Sequence, residues 1–231
     1  MRASSPQTPG HPLWLLIGFW FCVVISIAVV VRRLIELIRG PQSGTTALVQ
    51  INDTFSSHAA LTSAHIIPAA IFVVLATVVL LRRGPVKIWE QLFFPFGAVT
   101  GATAYAMSVY SIGGWIERSA VLVFDTWFLF CLSRAYVLYR QGDQEPKRAW
   151  MIRAVGVLLG IATTRPVMGV FFATSMLTGL QPKQFFGVAF WIGFTINTLT
   201  VELWLRSKRR ALLHRNATRR TSAPYQTPVA R

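Results

Sequence analysis

LWLLIGFWFCVVISIAVVV, residues 13–31, runs for nineteen residues without a charge. A bilayer core is about 30 Å thick, and a helix needs about 20 mostly apolar residues to cross it. The run is not alone. Residues 58–81 and 91–116 are also uncharged, and 119–139, 154–178 and 184–205 are broken only by isolated charges. In lipid every backbone N–H and C=O must be satisfied internally, which leaves helices or closed barrels. Runs this long and continuous predict helices. The expectation is an all-α, polytopic membrane bundle with about six transmembrane helices.

Composition agrees. Hydrophobic residues make up 53% of the chain and charged residues 13%, with mean hydropathy +0.50, against about 25% charged in an ordinary soluble domain. The net charge of +15 would suit a nucleic-acid partner only if it were spread over a soluble face. Instead seven Arg and one Lys fall in 206–231, and most others flank apolar runs, which is how orientation across a membrane is set. No nucleic-acid partner is expected. Arg206, Lys208, Arg209 and Arg210 read first as a topology signal and second as a contact for anionic lipid headgroups.

The first run resembles a secretory leader only superficially. An h-region is about 7–15 residues long, whereas this run ends in Val-Val-Val-Arg-Arg with no cleavage region. An uncleaved first helix is expected. Cys22 and Cys131 both lie inside apolar runs and match no metal-ligand or disulfide pattern.

Along the chain, residues 1–12 are rich in Pro, Ser and Gly and predict a disordered segment. The transmembrane domain covers 13–206 and a basic cytoplasmic tail 207–231. The helices are predicted at 13–31 (continuing to Arg39 before Gly40-Pro41), 58–81, 92–112, 117–140, 149–178 and 185–206, with 141–148 as a hydrophilic link. With six spans and the N-terminus inside, 16 Lys and Arg fall on the cytoplasmic side and 5 outside. Both termini are therefore expected in the cytoplasm of a bacterial inner membrane. Arg32, Arg33 and Arg39 run against the rule and are read as snorkelling. Trp14, Trp89, Trp115, Trp150 and Trp204 fall near the predicted interfaces. Gly97-x-x-x-Gly101 and Gly156-x-x-x-Gly160 offer flat faces for helix packing, within the bundle or against a second copy or another membrane partner.

Ionisable residues at membrane depth are expensive and mark partners or cavities. Counting residues along each run puts His65, Asp125, Arg165 and Asn197 in the outer half or near the midplane, and Arg134 and Glu202 near the inner face. Two groupings follow: a candidate polar pocket of His65, Asp125, Arg165 and Asn197, and a candidate ion pair of Arg134 with Glu202. Pro166 follows Arg165, and Pro68 stands three residues after His65. Each leaves a carbonyl one turn earlier without its bond, a feature of helices that line cavities. The plainer alternatives are that Arg165 and Asp125 neutralise each other to fix helix register, and that His65 bonds a neighbouring helix.

A bis-histidine haem is argued against by spacing. His58 and His65 share one helix about 10 Å apart, and His11 and His214 fall in the tails. No cofactor and no metal are predicted; a five-coordinate haem, a quinone or a ligand from a second subunit stays open. The chain carries no G-x-S-x-G, P-loop, H-E-x-x-H or Rossmann glycine pattern. The triplets Asn52-Asp53-Thr54 and Asn216-Ala217-Thr218 are weak glycosylation signals.

His58-Ala-Ala-Leu-Thr-Ser-Ala-His65-Ile-Ile-Pro68, Trp150-Met151-Ile152-Arg153 with Arg165 twelve residues on, and Asn197 with Glu202-Leu-Trp204 together resemble the domain of unknown function 2306 family of bacterial membrane proteins. The resemblance covers roughly 55–206. It implies a multi-span bundle and singles out His65, Arg153, Arg165, Asn197 and Glu202, but it implies no activity. The chain departs from the family at 84–92, which lacks a His-Arg pair and a Gly-Arg, and at Lys147, where a histidine is expected. Three functional classes follow: a protein that binds or passes a small solute, ion or proton; a membrane oxidoreductase or cofactor-binding subunit; and an accessory subunit of a membrane complex.

Overall fold

The computed structural model describes residues 12–39, 57–81 and 87–221. The N-terminal segment read as disordered, residues 40–56 with the Asn52 triplet, residues 82–86 and the end of the basic tail lie outside the described residues. All regular structure among the described residues is helical: α1 (Leu13–Arg39), α2 (Ala59–Leu81), α3 (Lys87–Ser108), α4 (Gly114–Gln141), α5 (Gln144–Leu158), α6 (Gly160–Thr178) and α7 (Pro182–Thr221).

Five rods have the length and composition to cross a membrane: Leu13–Arg39, Ala59–Leu81, Gly114–Gln141, Gln144–Ser175 and Pro182–His214. α5 and α6 meet at Leu159 and form one of these. α3 runs among them, packed between α2 and α4, but is less apolar than its uncharged run suggested. Its helix starts earlier, taking in Lys87 and Glu90, and ends before Val109–Ile112. Sequential rods pack as antiparallel neighbours, α2 on α3, α4 on α5 and α6 on α7, while α1 lies against α2 and α6.

Two boundaries differ from expectation. The 141–148 link shrinks to Gly142-Asp143, and α5 begins at Gln144. The polar residues there are helix-start chemistry. Asp143 takes the N-cap position, Glu145 sits in the first turn, and Pro146 falls where no intrahelical N–H bond is due. Gly142 closes α4 with φ 83°, in the left-handed region, and the Asp143 N–H bonds the Leu138 carbonyl at 3.1 Å. At the other end α7 starts on Pro182 and runs 40 residues. That is about 60 Å at 1.5 Å per residue, so the helix continues through the first part of the basic tail.

The core centres on Phe72, Phe93 and Phe128, each no more than 2% exposed. Ring centroids lie 4.5 Å apart for Phe72–Phe93 and 5.7 Å for Phe72–Phe128. The small residues read from the sequence let these helices approach. A Cβ on Gly97 would stand 2.7 Å from Phe72 and 2.9 Å from Leu132, and one on Gly156 2.6 Å from Val201. Both motifs thus serve packing within the chain. The outer surface carries exposed Ile17, Phe21, Val24, Val99, Phe130 and Leu203, as a lipid-facing surface requires.

Candidate functional site

α4 supplies the spine of the site. Its buried residues Glu117, Ala120, Phe124, Phe128, Cys131, Ala135 and Leu138 recur every three or four positions, the spacing of one helix face. Asp125 lies beside that stripe and is 9% exposed; Glu117, within it, is 7% exposed. Both face a cavity of about 260 Å³, whose wall also includes Arg33 from α1, His65 from α2, Ser108 from α3, Arg165 from α6 and Phe190 from α7. All five rods and α3 contribute. The residues come from the C-terminal part of α1, the N-terminal part of α2, the C-terminal part of α3 and the N-terminal parts of α4 and α7. The cavity therefore occupies one half of the bundle, the half away from Leu13 and Trp204.

Within this cavity polar atoms are unevenly satisfied. His65 Nδ1 lies 3.0 Å from Thr103 Oγ1 on α3. The Thr103 hydroxyl is 2.7 Å from the Val99 carbonyl and 3.0 Å from that of Thr100. Its single hydrogen goes to that backbone, so the imidazole Nδ1 is assigned as the donor and Nε2 keeps its lone pair. Glu117 Oε2 accepts the Gly113 N–H at 2.6 Å. Arg33 pairs with Glu36 at 2.9 Å. Asp125 Oδ2 and Arg165 Nε, by contrast, are buried without a hydrogen-bond partner. The two residues share a wall, not an ion pair, and the mutual neutralisation expected as an alternative is not what holds these helices.

Of the four expected pocket residues, the structure brings together His65, Asp125 and Arg165. Asn197 stands elsewhere. Its Oδ1 accepts the Thr163 hydroxyl at 2.8 Å, and both line a separate, mostly apolar groove of about 340 Å³ with Cys22, Arg148 and Trp204. There Arg148 donates to the Leu80 carbonyl at 2.8 Å, satisfying the end of α2.

The expected Arg134–Glu202 pair is corrected. Glu202 receives Arg153 Nε at 2.8 Å and Arg206 Nε at 3.0 Å. Arg134 is exposed, because it sits one residue off the buried Ala135 of the α4 stripe. Arg153, about two and a half turns into the next rod, faces α7 instead, with its guanidinium 4.7 Å over the Trp150 ring. Of the basic residues expected at lipid headgroups, Arg206 holds Glu202, Lys208 lies 5.7 Å from the Trp204 ring centre, and Arg209 and Arg210 are exposed.

Two buried charged groups escaped the sequence reading. Glu117 stands in the sequence only as the start of the predicted 117–140 helix, although its phase with the buried stripe of α4 marks it. Lys147, assigned to a link, is 2% exposed. Its Nζ meets both Glu90 oxygens at 2.8 Å and Gln144 Oε1 at 2.7 Å, tying α3 to α5. Among the described residues no group of three or more His, Cys, Asp or Glu stands close enough to hold a metal ion. No family model matches the chain, and comparisons with curated proteins and with solved structures return no match.

Proposed function

We propose that this chain is a multi-pass protein of a bacterial inner membrane, with both ends in the cytoplasm, that binds or passes a small solute, ion or proton through the cavity walled by His65, Asp125 and Arg165. One observation carries the reading. Asp125 and Arg165 present unpartnered polar atoms on the wall of one cavity. Leaving a buried charge unpaired costs several kcal/mol. A fold that needed these groups only as staples would have them in contact, as it does Lys147 with Glu90. The placement of the termini is supported by the 16-to-5 distribution of Lys and Arg. The run Arg206, Lys208, Arg209 and Arg210 on α7 fits contact with anionic headgroups. Arg153 and Glu202, two residues singled out by the likeness to the domain of unknown function 2306 family, meet in one ion pair. The redox alternative has less behind it, since His58 lies against Tyr110 with ring centroids 3.8 Å apart and His65 is the one histidine among the described residues of the cavity wall.

The test needs no ligand. Thermal unfolding of Asp125→Asn and Arg165→Leu in detergent is expected to give midpoints equal to or above that of the parent, because sites built for binding are held at a cost in stability. Lower midpoints for both, with a double variant that shows strong coupling, would assign the two residues to architecture and end the proposal.

A further inference from the structure

Resting on that reading, we infer that the ligand of the cavity is a small amphipathic monoanion, a carboxylate on an apolar body, whose charged end is received by Arg165. Of the unpartnered groups on this wall, Ser26, Asp125 and Arg165, the two ionisable ones are not equivalent. A carboxyl in an apolar wall is able to exist neutral, but a guanidinium keeps its charge under all conditions a protein meets. Arg165 is therefore the group whose demand only an anion meets. It forms no hydrogen bond or ion pair with any described residue.

Arg33 from α1 and Glu117 from α4 line the same cavity, and Glu36 holds both Arg32 and Arg33 at 2.8 and 2.9 Å. A guanidinium left without an internal partner fits a single negative charge. The guanidinium fork matches the two oxygens of a carboxylate. Beyond this end the wall is apolar, with Val121, Phe124, Phe190, Phe194 and Val157. Asp125 and His65 stand deeper, with Asp125 about 12 Å along α4 from Glu117. An apolar body fits the stretch between.

The experiment uses the full chain in nanodiscs of zwitterionic lipid and follows its thermal midpoint with added probes. Hexanoate is expected to raise the midpoint by roughly 5 °C at about a hundred times its Kd, and hexanol at the same concentration to give no comparable shift. Arg165→Leu and Arg165→Gln should abolish the hexanoate shift, while Arg134→Leu, on the exposed face of α4, should retain it. Hexadecanoate separates the sources: a shift with hexadecanoate and none with hexanoate assigns a bilayer-derived acid, and the reverse assigns a water-borne one. Equal shifts in the parent and both Arg165 variants, or no shift with either acid, would overturn the inference. A hexylamine shift lost in Asp125→Asn would overturn it too, while leaving the cavity a binding site. The cavity reading itself falls only on the destabilisation pattern described above.

Discussion

Arg153 on α5 and Glu202 on α7 meet with Nε 2.8 Å from Oε2, and the second oxygen of the same carboxylate takes Arg206 at 3.0 Å. One acid thus serves two cations at the end of the bundle opposite the cavity. Glu202→Ala leaves two arginines facing each other and is expected to cost about 1–3 kcal/mol. Arg134→Ala, from the position first expected to fill this role, should stay within about 0.5 kcal/mol of the parent. Equilibrium unfolding of both variants in mixed micelles checks the contrast; equal effects would refute it.

Lys147 is more deeply buried, and its loss should be felt more. Lys147→Met strands Glu90 in a half-buried site, at an expected cost of about 3–5 kcal/mol. Adding Glu90→Leu removes the stranded charge and should recover most of that loss. The folded yield on size exclusion and the thermal midpoint report the result, and a double variant worse than the single would exclude the pairing as its cause.

The two ends of the glycine spectrum make a clean comparison. A methyl on Gly97 would press on Phe72 and Leu132, whereas one on Gly18 would meet nothing within 4 Å. Gly97→Ala is expected to destabilise by about 1–3 kcal/mol through overpacking. Gly18→Ala should be neutral or stabilise by up to about 1 kcal/mol, as alanine does in helices. The order of the two midpoints decides.

Purified protein is expected to show no Soret band, since no second histidine shares the cavity wall of His65. A band that disappears in His65→Ala but persists in His58→Ala would replace the solute reading with a five-coordinate haem at His65.

What the sequence disclosed and what it hid divide along one geometric line. Depth follows from counting residues, at about 1.5 Å each, so His65, Asp125 and Arg165 were legible as occupants of one half of the bundle. Azimuth follows from amphipathic phase, and lipid removes most of that signal, because an outward Leu costs no more than an inward one. Asn197 was therefore set at a suitable depth but on the wrong side, where it meets Thr163. Arg134 was likewise matched with Glu202 by level alone. Glu117 was the readable exception, since α4 keeps enough polar residues to define a buried stripe. Lys147 was lost because its neighbours look like a loop. Only the N-cap position of Asp143 and the first-turn placement of Pro146 reveal that they begin a helix.

The pause at Leu159 has a mechanical consequence. Along the α5–α6 rod the buried members of the larger cluster, around Phe72 and Phe128, stop at Leu159, and Met168 beyond it joins a second small cluster with Phe185, Phe186 and Ala189, Phe190 touching both. At the break the Ala162 N–H reaches back only three residues, to the Leu159 carbonyl at 3.0 Å, so the ladder changes step between the two blocks. The rim that carries Arg165 is then free to loosen while the floor under Asp125 stays fixed. Amides of Gly160–Thr178 should exchange with deuterium ahead of those of Gln144–Leu158, and uniform exchange along the rod would show that it moves as one piece.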